Sequence, residues 1–228
     1  MNWKSLLAAR ETSTHFIVEG QIPVSRLKDS PYIIEKELHI GTDLTREEAS
    51  DLLGFHFHRG HLAIARKPEN PPLSIFEHHQ GTLVILPEIA DPGNLGTIIR
   101  NTAALSGSGI LLGKGASPYN AKAIRASAGN LFRLPVRQSA DLHSDLQRLR
   151  DTHTLIGTSL SPHSIPFSEL PTIENPALLL GPEDFGLNAE IESLCHHLVH
   201  LPMARAVDSL NVASASAIFL HQLQKSFS

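Results

Sequence analysis

The stretch LVILPEIADPGNLGTIIRNTAALSGSGILL, residues 83–112, decides the fold class of this chain. Its apolar runs at residues 83–86 and 110–112 are short and unbroken, which is typical of strands buried on both faces of a parallel sheet. Between them, Asp91 or Asn94 can cap a helix whose apolar side chains recur at helical spacing. Strand, polar loop, helix and strand form a βαβ unit, and ligands of such units bind at the carboxyl ends of the strands.

Arg100 lies on this predicted helix, away from the apolar stripe that Leu95 and Ile99 form, so it is not a core residue. Considered alone, an arginine in this position is typical of a solvated helix surface. Two later segments change that interpretation. An apolar strand at residues 176–181 runs into the polar loop PEDFGL, and LVHLPM at residues 198–203 leads into SLNV and a C-terminal helical pattern.

Together, the three segments resemble the ordered motifs of the SpoU/TrmH family of RNA ribose 2′-O-methyltransferases, which belong to the knotted SPOUT superfamily. Any one motif alone is weak, but three in order and spaced for one domain are specific. The resemblance is firm over residues 80–225 and looser before them. The matching residues are Asn94, Gly96 and Arg100 in the first motif, Gly181, Glu183, Gly186 and Leu187 in the second, and Pro202, Met203, Ser209, Leu210, Asn211 and Val212 in the third.

The alternation of short apolar strands with helices predicts an α/β fold with a parallel sheet. The resemblance implies that this sheet belongs to a SPOUT domain with a C-terminal trefoil knot, preceded by a small, shortened α/β domain similar to the L30e fold. We therefore expect a small RNA- or substrate-binding domain at residues 1–67, a proline-stiffened linker at residues 68–75 and a methyltransferase catalytic domain at residues 76–228.

Several local elements are predicted from patterns alone. Residues 1–14 read as a short leader helix, and residues 131–136 and 154–160 read as strands. Thr45 and Glu48 have the spacing of a capping box at the start of a helix.

The resemblance implies S-adenosylmethionine as methyl donor, bound in a cleft made by the C-terminal loops. Gly181 would let the backbone approach this ligand closely, because glycine has no side chain. Leu201 and Leu210 match family positions that contact the cofactor. The residues expected to bind it are Thr158, Ser159, Leu160, Gly181, Leu201, Met203 and Leu210.

The same resemblance gives Arg100 the role of activating the ribose hydroxyl. A free arginine is not a base at neutral pH, because its pKa exceeds about 12. We interpret Arg100 as a charged clamp that positions phosphate and stabilises the developing alkoxide. Asn94 would orient the loop and the ribose–phosphate, while Glu183, Ser209 and Asn211 would hold the loops and contact RNA or Arg100.

The phrase GFHFHRGH at residues 54–61 is compatible with a metal site or with a surface that stacks RNA bases. On a strand, His56 and His58 would share a face, but no carboxylate or cysteine in the phrase completes a ligand set. A similar phrase in the family favours RNA contact, and we predict no bound metal. The residues expected to contact RNA are His56, His58, Arg59, Lys122 and Arg125.

Composition limits the remaining possibilities. The chain has 228 residues, 41% of them hydrophobic, and a formal net charge of −4, which argues against a strongly basic protein that coats nucleic acid. A local basic patch stays possible, since local charge meets the phosphates. A single cysteine excludes an internal disulfide, and no signal peptide or apolar run of roughly 20 residues is present, so we expect a cytoplasmic protein without a membrane segment.

Other nucleotide-binding and hydrolase motifs are missing from the sequence. There is no Gly-x-Gly-x-x-Gly after the first strand, no Walker motif and no Gly-x-Ser-x-Gly elbow. The triplet Cys195-His196-His197 resembles a metal ligand set, but a strand would direct adjacent side chains to opposite faces. We interpret Cys195 as a buried residue at a helix end.

The C-terminal helix carries an apolar stripe and a run of small residues that a second helix could approach closely. The resemblance implies a homodimer formed by the catalytic domain, although the same stripe could cover the chain's own sheet. The stripe residues are Val212, Ala215, Ile218, Phe219 and Leu223.

Three functions remain open from the sequence. They are an RNA ribose 2′-O-methyltransferase that acts on structured RNA, rRNA rather than tRNA; a catalytically silent RNA-binding relative; and an α/β protein that binds some other nucleotide.

Overall fold

The computed structural model describes residues 3–54, 56–57, 60–77, 80–182, 185–204 and 209–224. Its first part contains three helices and three strands. They are α1 (Trp3–Ala9), β1 (His15–Glu19), α2 (Gln21–Lys28), β2 (Ile34–His39), α3 (Arg46–Leu53) and β3 (His61–Arg66). The strands form an antiparallel sheet in the order β1-β3-β2.

The second part alternates strands and helices, as the sequence predicts. Its elements are β4 (Leu83–Ile89), α4 (Pro92–Ala104), β5 (Gly109–Gly115), α5 (Ala121–Ala126), β6 (Val136–Gln138), α6 (Leu142–Leu149), β7 (Thr154–Thr158), β8 (Ile165–Pro166), β9 (Pro176–Leu179), α7 (Ala189–Leu194), β10 (His197–His200) and α8 (Val212–Gln224). Short 3₁₀ helices lie at Leu73–Phe76, Asn130–Arg133 and Phe167–Glu169. The seven strands are parallel, in the order β6-β5-β4-β9-β7-β10-β8. The predicted α/β fold with a parallel sheet is therefore confirmed.

Helix starts follow from local hydrogen bonding. Asp91, one of the two predicted caps, accepts a 2.8 Å bond from the backbone N–H of Asn94, and Pro92 occupies the first helical position, where no donor is lost. The predicted capping box is also present. Thr45 Oγ1 accepts from the backbone of Glu48 at 3.1 Å, and the Glu48 carboxylate accepts from the backbone of Thr45 at 2.8 Å.

One hydrophobic core joins the two sheets. Phe16 and Val18 on β1 belong to the same buried cluster as the β4 and β5 residues Val84 and Ile110. Phe16 also stacks on Phe132, with ring centroids 6.1 Å apart. The small sheet is thus packed against the large one by apolar contact, the dominant stabilising term in folding.

Two local predictions need correction. The predicted strand at residues 131–136 is instead a 3₁₀ helix followed by the short β6. The turn begins at Gly129, whose φ is +77°, and it directs Phe132 into the shared core. The leader helix ends earlier than predicted, at Ala9, because Arg10 adopts a left-handed φ of 61°.

None of the helices in the described part of the chain combines the length and apolar character needed to cross a bilayer.

Candidate active site

A cavity of about 440 Å³ lies at the carboxyl ends of β7, β9 and β10. This is the edge of a parallel sheet where ligands bind in open α/β folds. All seven residues predicted to contact the cofactor line this cavity, together with the predicted catalytic residue Ser209. They are Thr158, Ser159, Leu160, Gly181, Leu201, Met203 and Leu210.

Along one wall of the cavity, hydrogen bonds connect the ends of neighbouring strands. The Thr158 hydroxyl, at the end of β7, donates to the carbonyl of Leu179 at the end of β9, at 3.1 Å. The backbone N–H of Ser159 donates to the carbonyl of Val199 on β10, at 3.0 Å. Three neighbouring strands are thereby held together where their loops begin, so the loops line a common cavity.

Gly181 lies on the cavity wall and is also part of a tightly packed loop. A Cβ at this position would lie 2.5 Å from the carbonyl carbon of Gly186 and 2.6 Å from the backbone nitrogen of Leu187. Real side chains essentially never come that close to backbone atoms. The glycine is therefore required because the loop after β9 folds back on its own start. This close approach is between two stretches of backbone, and the predicted approach between backbone and ligand stays a prediction.

Asn94 and Asn211 are in direct contact, although 117 positions separate them in the sequence. The side-chain amide of Asn211 donates to the side-chain oxygen of Asn94 at 3.1 Å. The Asn211 oxygen also accepts from the backbone N–H groups of Ala213 and Ser214, at 3.0 and 3.3 Å, which caps α8. The pair joins the N-terminal ends of α4 and α8.

The three predicted catalytic residues of α4 and α8 do not line the cavity. Asn94, Arg100 and Asn211 lie outside its wall, whereas Ser209 and Leu210 immediately before Asn211 are part of it. Arg100 is exposed on α4, and within the described part of the chain its guanidinium forms no ion pair or hydrogen bond. Glu183 lies outside the described residues.

Both basic residues predicted to contact RNA from the α5 segment are engaged in ion pairs. Lys122 contacts Asp91 at 2.6 Å, beside the start of α4. The Lys122 hydrogen bond and the backbone N–H of Asn94 lower the pKa of the Asp91 carboxyl. Arg125 contacts Glu19 of β1 at 2.7 Å. The Glu19 side chain is 1% exposed, so Arg125 neutralises a buried charge between the two sheets.

The predicted RNA-contact phrase is only partly described. His56 is exposed and belongs to no strand, so the strand geometry considered for it does not apply. His58 and Arg59 lie outside the described residues. The neighbouring Phe57 is buried in the core under the small sheet.

The sequence analysis missed several cavity residues, among them the polar residues His200 and Glu192. His200 ends β10, and its Nδ1 lies 2.9 Å from the Ser164 hydroxyl. That hydroxyl donates to the carbonyl of Ser161 at 2.8 Å, so we assign it as the acceptor from His200 Nδ1–H. The sequence signal was its position two residues before Pro202, where the third motif begins. The apolar cavity residues Phe185, Val212 and Phe219 were also missed, and Phe185 is 88% exposed at the cavity.

Cys195 lies at a helix end, as predicted, but it is half-buried and not fully buried. The thiol lies at the end of α7, contacts the carbonyl of Ile191, and has a pKa raised to about 12, mainly by burial. His196 Nδ1 accepts from the backbone N–H of Leu155 at 2.9 Å, and burial lowers the pKa of this imidazole. The thiol is therefore protonated at neutral pH and is a poor nucleophile or metal ligand.

The SpoU rRNA methylase family model matches residues 81–221, which is more than half of the chain. The chain therefore belongs to the SpoU rRNA methylase family, and the family resemblance seen in its motifs is confirmed.

Individual relatives agree with this membership. The chain is 34% identical over 182 residues to an uncharacterised tRNA/rRNA methyltransferase of Mycobacterium tuberculosis, covering 77% of this chain and 62% of that protein. It thus spans about three fifths of the length of this relative. It is 28% identical over 241 residues to the 23S rRNA (guanosine(2553)-2′-O)-methyltransferase RlmP of Bacillus subtilis, covering 98% of this chain and 94% of that protein.

The fold is also shared with solved structures. The AdoMet-bound rRNA methyltransferase from Sinorhizobium meliloti superposes with a TM-score of 0.87 at 24% identity, covering 99% of this chain and 94% of that one. At this identity the likeness establishes the arrangement of both sheets and their helices.

Proposed function

We propose that this protein transfers a methyl group from S-adenosylmethionine to the ribose 2′-hydroxyl of a structured RNA. The observation that carries the proposal is the convergence of all seven predicted cofactor residues on one cavity at the carboxyl ends of three adjacent strands. Family membership supports the same chemistry, because the family uses S-adenosylmethionine as methyl donor.

The cavity fits this cofactor in size and in lining. Ligand sites are typically cavities of about 300–1,000 Å³ with mostly apolar walls and a few placed polar groups. Leu201, Leu210 and Met203 supply apolar surface for an adenine ring, and the hydroxyls of Thr158 and Ser159 border the same space. Leu210 is 39% exposed and has surface available for a ligand to cover.

When bound, S-adenosylmethionine supplies a methyl group on a positively charged sulfur, which is an electrophile. The residues of this chain would bring the ribose to it. Arg100, exposed on α4, holds a backbone phosphate and offsets the negative charge that develops on the 2′-oxygen. The Asn94–Asn211 contact fixes the start of α4 relative to the Ser209–Leu210 segment of the cavity wall. Glu183 is proposed to contact RNA or Arg100 from the loop after β9.

We infer rRNA as the substrate in preference to tRNA. The relative that matches nearly the whole of this chain is named for methylation of a 23S rRNA guanosine. The small sheet would then contact the rRNA, and His56, His58 and Arg59 remain proposed contact residues. Arg125 is a weaker candidate for this role, since its charge is already matched by Glu19. An RNA substrate and the single cysteine agree with a cytoplasmic protein.

We further propose the finer architecture that the family resemblance implies. Residues 1–67 would be an L30e-like domain, residues 68–75 a linker and residues 76–228 a SPOUT domain. A trefoil knot is supported by the path of the chain, which leaves β10 beyond β7 and returns to pack α8 on α4 beside β4. In that packing Asn101 Nδ2 donates to the Ala213 carbonyl and the Ser216 hydroxyl, both at 2.9 Å.

We also propose a homodimer formed by the catalytic domain, but the apolar stripe of α8 does not support it. Val212, Phe219 and Leu223 are buried within the chain itself, so most of the α8 stripe covers the chain's own core. Ile218 is 41% exposed on the outer face of α8 and is available to a second copy. Pairing there would bring Arg100 of one subunit towards the cavity of the other.

The test is a comparison of ribose methylation in cells that contain or lack the gene. Mapping 2′-O-methyl marks across all rRNA and tRNA should show one rRNA position that loses its mark and regains it with the restored gene. An unchanged map would contradict the enzymatic proposal and favour the catalytically silent relative.

A further inference from the structure

The small sheet carries a cluster of metal-ligating side chains that the proposed methyl transfer does not use. Glu37 and His39 lie on β2, and His61 lies on β3. Their ligand atoms all lie within 4.8 Å of one another. Within the described part of the chain, it is the one group of at least three His, Cys, Asp or Glu side chains whose ligand atoms lie this close together.

Strand register explains why these three side chains meet. Glu37 and His39 are two positions apart on β2, so they point to the same face of the sheet. His61 is the direct cross-strand partner of His39, and Glu37 is its diagonal neighbour. The two imidazoles stack with centroids 4.3 Å apart at an interplanar angle of 24°, and His61 Nε2 lies 2.8 Å from the Glu37 carboxylate.

We propose that Glu37, His39 and His61 form a binding site for a divalent transition-metal ion of the zinc class. Two imidazole nitrogens and one carboxylate are a known zinc ligand set, and bonds of about 2.0–2.2 Å place such ligands about 3.4 Å apart. The three ligand atoms lie within 4.8 Å of one another, which is close to that spacing. This proposal departs from the sequence-based prediction that no metal is bound.

The cluster is partly buried and stays accessible to an ion. The side chains of Glu37 and His61 are 28% and 16% exposed, and His39 is exposed, which leaves one side open for entry of the ion. The Glu37 carboxylate is the one acidic side chain of the group. Lys28 forms an ion pair with this same carboxylate, so it competes with the ion for Glu37.

The location suggests what the ion does. His61 shares its face of β3 with Ala63 and Ala65, which belong to the core between the two sheets. The cluster borders an open groove that Lys28, His39, His61 and Arg125 line. An ion here would tie the edge strand β2 to β3 and stiffen one wall of that groove.

The experiment is calorimetric titration of the full-length protein with ZnCl₂ alone, without S-adenosylmethionine or RNA, so it is independent of the methyl-transfer proposal. The wild type should bind one ion with high affinity. His39→Gln, His61→Gln and Glu37→Gln should each weaken this binding at least tenfold, and Lys28→Gln should strengthen it because Glu37 is released.

The matched control is His143→Gln. His143 is a surface histidine 3.5 Å from Glu190, and this pair lies outside the group of three. It should bind zinc as the wild type does. Melting temperatures measured without metal verify that each variant is folded. If a histidine variant unfolds, Glu37→Gln tests the site in its place, because glutamine has nearly the same shape as glutamate. Failure of the wild type to bind zinc, or equal binding by wild type and the Glu37→Gln and His39→Gln variants, would overturn the proposal.

Discussion

Asn211 donates a 3.1 Å hydrogen bond to Asn94, and this contact connects the cap of α8 to the first turn of α4. One side of the connection continues into Ser209 and Leu210 on the cavity wall, and the other continues along α4 to Arg100. The cavity wall and the helix that carries Arg100 are therefore connected by a hydrogen bond between two side-chain amides.

The two roles of Asn211 can be separated by substitution. Asn211→Ala removes both the cap and the contact, and should lower the free energy of unfolding by about 1 kcal/mol. Asn211→Asp retains an acceptor for the cap but loses the donor to Asn94, so it should fold nearly as the wild type does while methyl transfer falls. Urea unfolding and a methyl-transfer assay check this. Full activity in Asn211→Asp would show that the contact is dispensable.

The cavity prediction concerns Leu210. Leu210→Arg should abolish S-adenosylmethionine binding, because the long charged side chain extends from a partly exposed position on the cavity wall. The matched control is Ile22→Arg, which places the same side chain at a 62% exposed position of α2 and should leave binding unchanged. Titration calorimetry measures both. Wild-type affinity in Leu210→Arg would mean that the cofactor binds elsewhere.

The Glu19–Arg125 pair should be a stability element. Arg125→Met leaves the Glu19 charge buried and unpaired, which commonly costs about 3–5 kcal/mol. The double variant with Glu19→Gln should recover most of the loss, since no charge then remains. Lys122→Met is the control, because its partner Asp91 is exposed and such pairs contribute about 0–1 kcal/mol. Equal destabilisation of Arg125→Met and Lys122→Met in urea unfolding would refute this role.

Assembly is tested at Ile218. Light scattering of the wild type should give twice the 24.8 kDa chain mass, and Ile218→Asp should give the mass of one chain. Because Ile218 is 41% exposed, its substitution should not disturb the core, and the variant should melt near the wild-type temperature. A wild-type monomer with methyl-transfer activity would contradict the dimer.

Much of the fold and of the cavity was predictable because both depend on local patterns. Unbroken apolar runs identified the parallel strands, and the turn cluster before α4 identified Asp91 as one of two candidate caps. Of the seven predicted cofactor residues, Gly181, Met203 and Leu210 belong to the motifs, and Leu201 matches a family position. Residues 158–160 were placed at the end of a predicted strand. Their convergence follows from the parallel topology, which brings the carboxyl ends of neighbouring strands together.

The features that the sequence did not reveal depend on long-range register and packing. Arg125 and Glu19 are 106 positions apart, so their ion pair required knowledge of how the sheets dock. The cluster of Glu37, His39 and His61 required the β2–β3 register. A strand was predicted near Phe132, where the structure has a 3₁₀ helix. The Phe132 ring is buried in the core that the two sheets share, and local propensity gives no information about such packing.

The central claim is methyl transfer to ribose, and a methyl-transfer assay of the wild type and the Arg100→Ala variant tests it most directly. Purified full-length protein should transfer labelled methyl from S-adenosylmethionine to a 2′-oxygen of unmodified rRNA. Arg100→Ala should bind the cofactor normally but react about a hundredfold more slowly, since losing a preorganised charge contact costs on the order of 3 kcal/mol. Arg148→Ala, an exposed arginine on α6, should react at the wild-type rate. Cofactor binding without label on any RNA, or a wild-type rate in Arg100→Ala, would contradict the account.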